Sequence, residues 1–419
     1  MPSEWERVNR YADWMHTLNI YEDRMGPVLS SRAWQELSTI KPARLLPNLK
    51  SLEWYSATDT FIYINLFWSP QLTSLNVRVI PDIPNVIHVL TSLPVETLEE
   101  LRFLDLSGDR TVQDAISNLV LRTTATLRSI EVSESDLSDA AIRHVIRLPN
   151  LSDASVRFAN LDRRTASLDA SFPALRTLET GVDSEERWKY VLEDTKNLES
   201  VVLHSSTVLR PEEMTDVFGF LINKGFHRTM YRLSLAVVGS CDLTPLVLTP
   251  LLKFGSLTRL SVTSPCDPIQ CKSRLTDGAL AQLAEALPQL VELFLGDIPC
   301  QSPAREVTLA GLLPLSTHCL HLKILQVHFS ALDIPTDIPD DVLSRPSDQA
   351  PLNHNHCLLS QLVVGWLPIS TFGKSPLIVA YFLHQMFPRL SKILYTTHDS
   401  PWKEVQEHVD MFQKYRPKK

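Results

Sequence analysis

The sequence predicts an α/β solenoid, a curved stack of units that each contribute one strand and one helix. Three observations predict it. A short apolar phrase recurs along the whole chain, helix-like segments separate its copies, and the composition suits one continuous core. A chain of 419 residues would otherwise suggest two to four globular domains. A repeat architecture removes that expectation, because each new unit extends the same core.

The phrase is Leu-x-x-Leu-x-Leu with conservative replacements. It reads Leu49/Leu52/Trp54, Leu72/Leu75/Val77, Leu101/Leu104/Leu106, Leu127/Ile130/Val132, Leu151/Ala154/Val156 and Leu175/Leu178/Thr180 in the first half. The second half supplies Leu198/Val201/Leu203, Met230/Leu233/Leu235, Leu257/Leu260/Val262, Leu290/Leu293/Leu295, Leu322/Leu325/Val327, Leu359/Leu362/Val364 and Leu390/Ile393/Tyr395. Met15/Leu18/Ile20 reads as a further N-terminal copy. Apolar residues two apart are the mark of a short strand. Successive copies start 23 to 37 residues apart, and most of these steps fall in or near the range of leucine-rich repeats. The predicted fold is therefore a leucine-rich-repeat solenoid of thirteen or fourteen irregular units. It is a horseshoe with parallel strands on the concave face and helices on the convex face.

The linkers support this. Residues 137–148 place Ala141, Val145 and Leu148 on one helical face, and residues 275–287 do the same with Leu280, Leu283, Ala284 and Leu287. Ser138 and Thr276 stand where helix N-caps belong. A proline often precedes a copy (Pro47, Pro70, Pro149, Pro173, Pro288, Pro388), read as ending one element before the next strand. Residues 1–14 are predicted as an N-terminal capping helix with the stripe Trp5, Val8, Ala12 and Met15, and residues 15–399 as the solenoid. Residues 400–419 are predicted as a C-terminal capping helix and tail, burying Trp402, Val405, Val409 and Phe412. A Pro-rich loop insertion falls at 333–357.

Bulk properties narrow the function. A net charge of −8 with few basic clusters gives no footprint for nucleic acid. Six cysteines, all in the second half, are too sparse for a disulfide scaffold and point to the cytosol or nucleus. No apolar signal segment opens the chain, and no apolar run approaches the roughly 18–20 residues a membrane helix needs. These features predict a cytoplasmic or nuclear monomer with no membrane contact.

From these residues a resemblance follows. The stretch Leu275-Thr276-Asp277-Gly278-Ala279-Leu280 through Leu283, Ala284, Leu287, Leu290, Leu293 and Leu295 is similar to the repeat of F-box/leucine-rich-repeat and ribonuclease-inhibitor-like proteins. The stretch from 137 to 156 matches more weakly. The opening from Trp5 to Leu18 resembles the segment that follows the F-box in a large fungal group of such proteins, and Ser400-Pro401-Trp402-Lys403-Glu404-Val405 resembles their capping helix. The resemblance implies a protein-binding solenoid that serves as a substrate receptor of a cullin-type ubiquitin ligase. Two departures stand out. The Asn or Cys expected after the third apolar position is replaced by Ala57, Asp109, Ser135 and Asp183, and no F-box is visible before the first repeat. Docking to a ligase adaptor is thus expected only with an F-box upstream of these residues. The alternative is a stand-alone scaffold or inhibitor-like protein without a ubiquitin link.

In such a fold the residues flanking the second apolar position line the concave face. The central column includes Glu53, Asn76, Asp105, Glu131, Ser155 and Glu179, acidic in four of six positions, then Val202, Ser234, Ser261, Phe294 and Gln326. A neighbouring column includes Tyr55, Arg78, Arg157, His204, Gly296 and His328. The predicted contact residues are Glu53, Tyr55, Asp105, Glu131, Arg157, Glu179, His204, Phe294, Gln326 and His328. The partner expected there is a protein with a basic segment over the first half and an apolar one near Phe294.

Nothing in the sequence marks an enzyme, a cofactor or a metal. Gly373-Lys374-Ser375 ends like a phosphate-binding loop, but Pro368 stands where that loop needs glycine. His354, His356 and Cys357, and Cys266 with Cys271, lack the paired spacing of zinc ligands. Asn150-Leu151-Ser152 matches a glycosylation acceptor but opens a predicted buried strand.

Overall fold

A computed structural model describes residues 10–22, 29–40, 45–56, 59–79, 86–104, 110–132, 135–158, 160–161, 172–182, 187–238, 243–264, 274–296, 307–329, 357–364, 376–395 and 401–414. The chain divides into two compact units, Met1–Leu198 and Glu199–Lys419. Among the described residues fourteen strands occur, most of them joined by helical connectors, as expected of an α/β leucine-rich-repeat solenoid. The first unit holds β1 (Thr17–Glu22), β2 (Ser51–Ser56), β3 (Ser74–Val79), β4 (Glu100–Leu104), β5 (Ser129–Val132), β6 (Asp153–Val156) and β7 (Thr177–Val182). The second holds β8 (Ser200–Ser205), β9 (Arg232–Val237), β10 (Arg259–Thr263), β11 (Glu292–Leu295), β12 (Ile324–Val327), β13 (Gln361–Val363) and β14 (Lys392–Leu394). Within each unit every strand pairs in parallel with the next in sequence. The copy at Met15 is thus a real strand, with Leu18 level with Leu52 and Ile20 with Trp54.

One carbonyl per repeat stacks the units. The residue after the first apolar position turns its carbonyl to the following copy and accepts two backbone N–H groups. Lys50 O takes Thr73 N at 2.9 Å and Ser74 N at 3.0 Å, and Arg128 O takes Ser152 N at 2.8 Å and Asp153 N at 3.0 Å. In the second unit Tyr231 O takes Thr258 N at 2.8 Å and Arg259 N at 3.0 Å. Hydroxyls reinforce several rungs, as where Thr73 Oγ1 donates to Lys50 O and Thr258 Oγ1 to Tyr231 O. Buried backbone groups must be paired. This ladder pairs them even though the Asn or Cys of regular repeats is missing.

The prolines follow the ends of the preceding elements as expected, with Pro288 after the helix Asp277–Ala286 and Pro388 after Pro376–Met386, and they also shape the turn into each strand. The first apolar residue closes a turn onto the residue three before it: Leu49 N donates to Leu46 O, Leu72 N to Ser69 O, Leu290 N to Leu287 O and Leu390 N to Phe387 O. Pro47, Pro70, Pro288 and Pro388 occupy the second position of those turns, where a fixed φ near −65° is favoured.

The fourth repeat lies in another frame than the sequence suggested. Leu101 pairs in register with Leu75 and Ile130, and Arg102 with Asn76 and Glu131. The phrase is therefore Leu98/Leu101/Phe103, all fully or almost fully buried, with Glu99 O on the ladder accepting from Arg128 N and Ser129 N. Two overlapping frames exist in Leu98–Leu106, and an odd shift between them turns every side chain to the opposite face. The frame with Leu98 wins because it buries Phe103 and leaves Leu104 half-exposed.

Connectors vary. The two helices read from sequence form as Asp139–Ile146 and Asp277–Ala286, capped by Ser138 Oγ accepting from Ala141 N and Thr276 Oγ1 from Ala279 N. Between β2 and β3 the link is instead a 3-10 run, Asp59–Phe67. Its Phe61 and Phe67 join Trp34 and Trp54 in an aromatic cluster, with ring centroids 5.6 Å apart for Trp34–Trp54 and 5.8 Å for Trp34–Phe67. At the N-terminus, Ala12 is buried but Tyr11, Trp14 and Met15 are exposed; Trp5 and Val8 lie outside the described residues. At the C-terminus the helix Trp402–Lys414 buries Trp402, Val405, Val409 and Phe412 as expected.

Candidate functional site

The side chains that alternate with the core residues stand on the outward faces of the strands, away from the helices. In the first unit the described ones gather near β1 to β3. Tyr21 and Tyr55 are register partners whose rings lie 5.0 Å apart, and the Arg78 guanidinium sits 5.6 Å from the centre of the Tyr55 ring. Beside them Glu53 accepts from Tyr21 Oη at 2.7 Å and from Asn76 Nδ2 at 3.0 Å. The phenol's pKa is raised above its ordinary value, first because its proton is held in that bond to Glu53.

Further along the same unit Glu131 faces Arg102, with Nε to Oε2 at 3.7 Å. Ser155 and Glu179 continue the row, and Arg157 is exposed. Asp105 lies outside the described residues, and Arg102 fills the place in the column the sequence gave to it. This changes the charge. Glu53, Glu100, Glu131, Asp153 and Glu179 stand against Arg78, Arg102 and Arg157, five carboxylates to three guanidiniums, a net of −2. Glu100 and Asp153 accept in addition from Ser74 and Ser152 hydroxyls. The column is only mildly acidic, with its carboxylates held by neighbours.

In the second unit the predicted contact residues separate. His204 on β8 is exposed, Phe294 on β11 is half-buried, and His328 is half-buried with its ring 3.5 Å from the place a Cβ on Gly296 would take. Gln326 corrects the expectation: it is 5% exposed, and its Nε2 donates to Gly296 O at 2.8 Å. Gly296 has φ +82°, a left-handed conformation that favours glycine. Gln326 therefore ties two repeats together and does not face a partner.

Sequence reasoning missed one row. Arg232, Arg259 and Glu292 are register partners one position before the second core residue, and by period two they share the outward face with Ser234, Ser261 and Phe294. A depression of about 220 Å³ opens among them. The signal was the triplet Arg-Leu-Ser, identical in Arg232-Leu233-Ser234 and Arg259-Leu260-Ser261.

Among the described residues no group of three or more His, Cys, Asp or Glu is placed to hold a metal, and no helix is long and apolar enough to cross a membrane. His354, His356, the pair Cys266 and Cys271, the 373–375 turn and most of the 333–357 insertion lie outside the described residues. Cys357 is a core residue: its thiol lies 3.5 Å from Cys319 O, while the Cys319 thiol lies 3.5 Å from Leu287 O. Burial pushes the Cys319 thiol up to about 12 and raises Cys357 as well. Both stay protonated at neutral pH. Because the folded pKa exceeds the ordinary 9.0, the Cys319 contribution to stability is complete below pH 9. It falls by about 1.4 kcal/mol per pH unit as pH rises towards the folded value. Urea unfolding of wild type and Cys319→Ala between pH 8 and pH 11 should show this extra alkaline loss only in the wild type; parallel curves would contradict it.

No family model matches the sequence, and no curated protein matches it. Among solved structures the chain is similar to a leucine-rich-repeat protein of Leptospira interrogans, with 11% sequence identity over 98% of this chain and 96% of that one and a TM-score of 0.33. The fold assignment rests on the strand register and the carbonyl ladder described above.

Proposed function

We propose that this chain is a protein-recognition module whose partners lie across the outward faces of its strands. The observation that supports this most strongly is the Tyr21–Tyr55–Arg78 stack beside the hydrogen-bonded Glu53. Tyr21 is 53% exposed, so the stack contributes little to the core. Tyrosine and arginine are the residue types enriched where proteins bind one another. The residual charge of the first unit favours a basic segment there, acting on register and association rate more than on affinity. The test is the triple variant Glu53→Lys, Glu131→Lys and Glu179→Lys, compared with wild type against a captured partner. The association rate should fall about tenfold or more, since complementary charge steers the encounter; an unchanged association rate would contradict the proposal.

The finer reading is a substrate receptor of a cullin-type ubiquitin ligase in the reducing cytosol or nucleus. It draws support from the resemblance of residues 275–295 and of the segment from Trp5 to Leu18. Purification of the tagged chain separates it from a stand-alone scaffold. Recovery of the ligase adaptor together with the cullin favours the receptor, and recovery of other partners alone favours the scaffold.

A further inference from the structure

We infer that the depression on β9 to β11 binds an oxyanionic side chain of a partner protein, a carboxylate or a phosphate monoester, with an apolar neighbour of that side chain resting on Phe294. This deepens the protein-recognition reading and rests on it. The depression exists because small side chains, Ser234 and Ser261 with Ala236, Thr263 and Gly296 beyond them, run between taller ones. At about 220 Å³ it is smaller than the roughly 300–1,000 Å³ of pockets for whole small molecules. It is the size for one side chain.

Its chemistry is that of an anion site. Arg232 and Arg259 are register partners on adjacent parallel strands, and strand spacing sets their backbones about 4.8 Å apart. Like charges directly opposite one another on neighbouring strands are unfavourable, and an anion between or beside them relieves that. Glu292 answers one of the two, with Arg259 Nε 3.5 Å from its Oε1. Among the described residues the Arg232 guanidinium has no ion pair or hydrogen bond, nor do the Ser234 and Ser261 hydroxyls. The depression therefore carries one uncompensated positive charge, a planar fork of N–H donors and two hydroxyls. Planar bidentate donation is how arginine recognises carboxylate and phosphate. The described strand positions of the second unit agree in sign, with Arg232, Arg259 and Lys392 against Glu292, a net of +2.

The test uses the full chain and short peptide libraries with randomised flanks. Their central residue is phosphoserine, glutamate, glutamine or serine, followed by leucine. Phosphoserine and glutamate peptides should be retained about tenfold or more over the glutamine and serine peptides, the size expected of a charge-assisted hydrogen bond. Arg232→Gln should abolish that preference while its thermal unfolding stays as in wild type, and Arg147→Gln, exposed on a connector of the other unit, should leave it intact. Phosphoserine above glutamate assigns a phosphorylated partner, and the reverse order an acidic one. Retention without regard to charge, or a preference that survives Arg232→Gln, overturns the anion site and leaves protein recognition standing. Retention of no peptide overturns both.

Discussion

Replacing Trp402 with alanine lowers the stability of the second unit by about 3–5 kcal/mol, the cost of removing a large aromatic side chain from a packed core. Trp402 is fully buried and meets the Phe329 ring edge-on at 5.9 Å. Its helix does more than cover apolar surface. Gln406 accepts from Ile393 N and donates to Ser391 O, and Gln413 donates to Pro388 O and Leu390 O. These two amides occupy backbone groups around β14, the last strand, which an uncovered edge would offer to another chain. The variant should therefore lower the urea midpoint followed by circular dichroism, and should also raise light scattering during refolding. A midpoint unchanged from wild type would show that the helix is not the cap of this unit.

The second large effect separates the two frames of the fourth repeat. Leu101→Ala should cost about 2–5 kcal/mol, because it empties a fully buried site. Leu104→Ala, three residues on and half-exposed, should cost less than about 1 kcal/mol. The two substitutions delete the same atoms from the same strand, so urea unfolding of the pair reads the frame directly. A larger loss at Leu104 would place Asp105 back on the outward face and restore the more acidic column.

Much of the fold was legible because it is written in apolar spacing. The helices at 139–146 and 277–286, their Ser138 and Thr276 caps, the strand at Leu18 and the stripe from Trp402 to Phe412 all follow from periods of two or 3.6 residues. What spacing could not decide were places where two readings share one pattern. Leu98, Leu101, Leu104 and Leu106 fit the phrase twice, and only the burial of Phe103 and the ladder bond of Glu99 choose between them. The 3-10 run at Asp59–Phe67 is apolar at most of its positions, so no helical stripe announced its form.

The contact surface was less legible. Glu53 and Tyr55 lie together, but Tyr21 and Arg78 complete their cluster, and those come from strands 34 and 23 residues away in sequence from Tyr55. Gln326 has the polar character of a contact residue, yet the left-handed Gly296 before it presents a carbonyl that draws its amide inward. The contact columns read from the sequence lie after the second core residue, so Arg232 and Arg259 fall outside them. The outward face includes the column before that residue as well.

Partners are proposed to bind the strand faces. Site-specific photo-cross-linking tests this most directly. A photoreactive amino acid would be placed at Tyr55 or Phe294 on the outward strand faces, and at Leu121 or Tyr190 on the exposed connectors. Cross-links to a partner polypeptide are expected from Tyr55, Phe294 or both, and none from Leu121 or Tyr190. Cross-links from the connector positions alone would contradict the proposal.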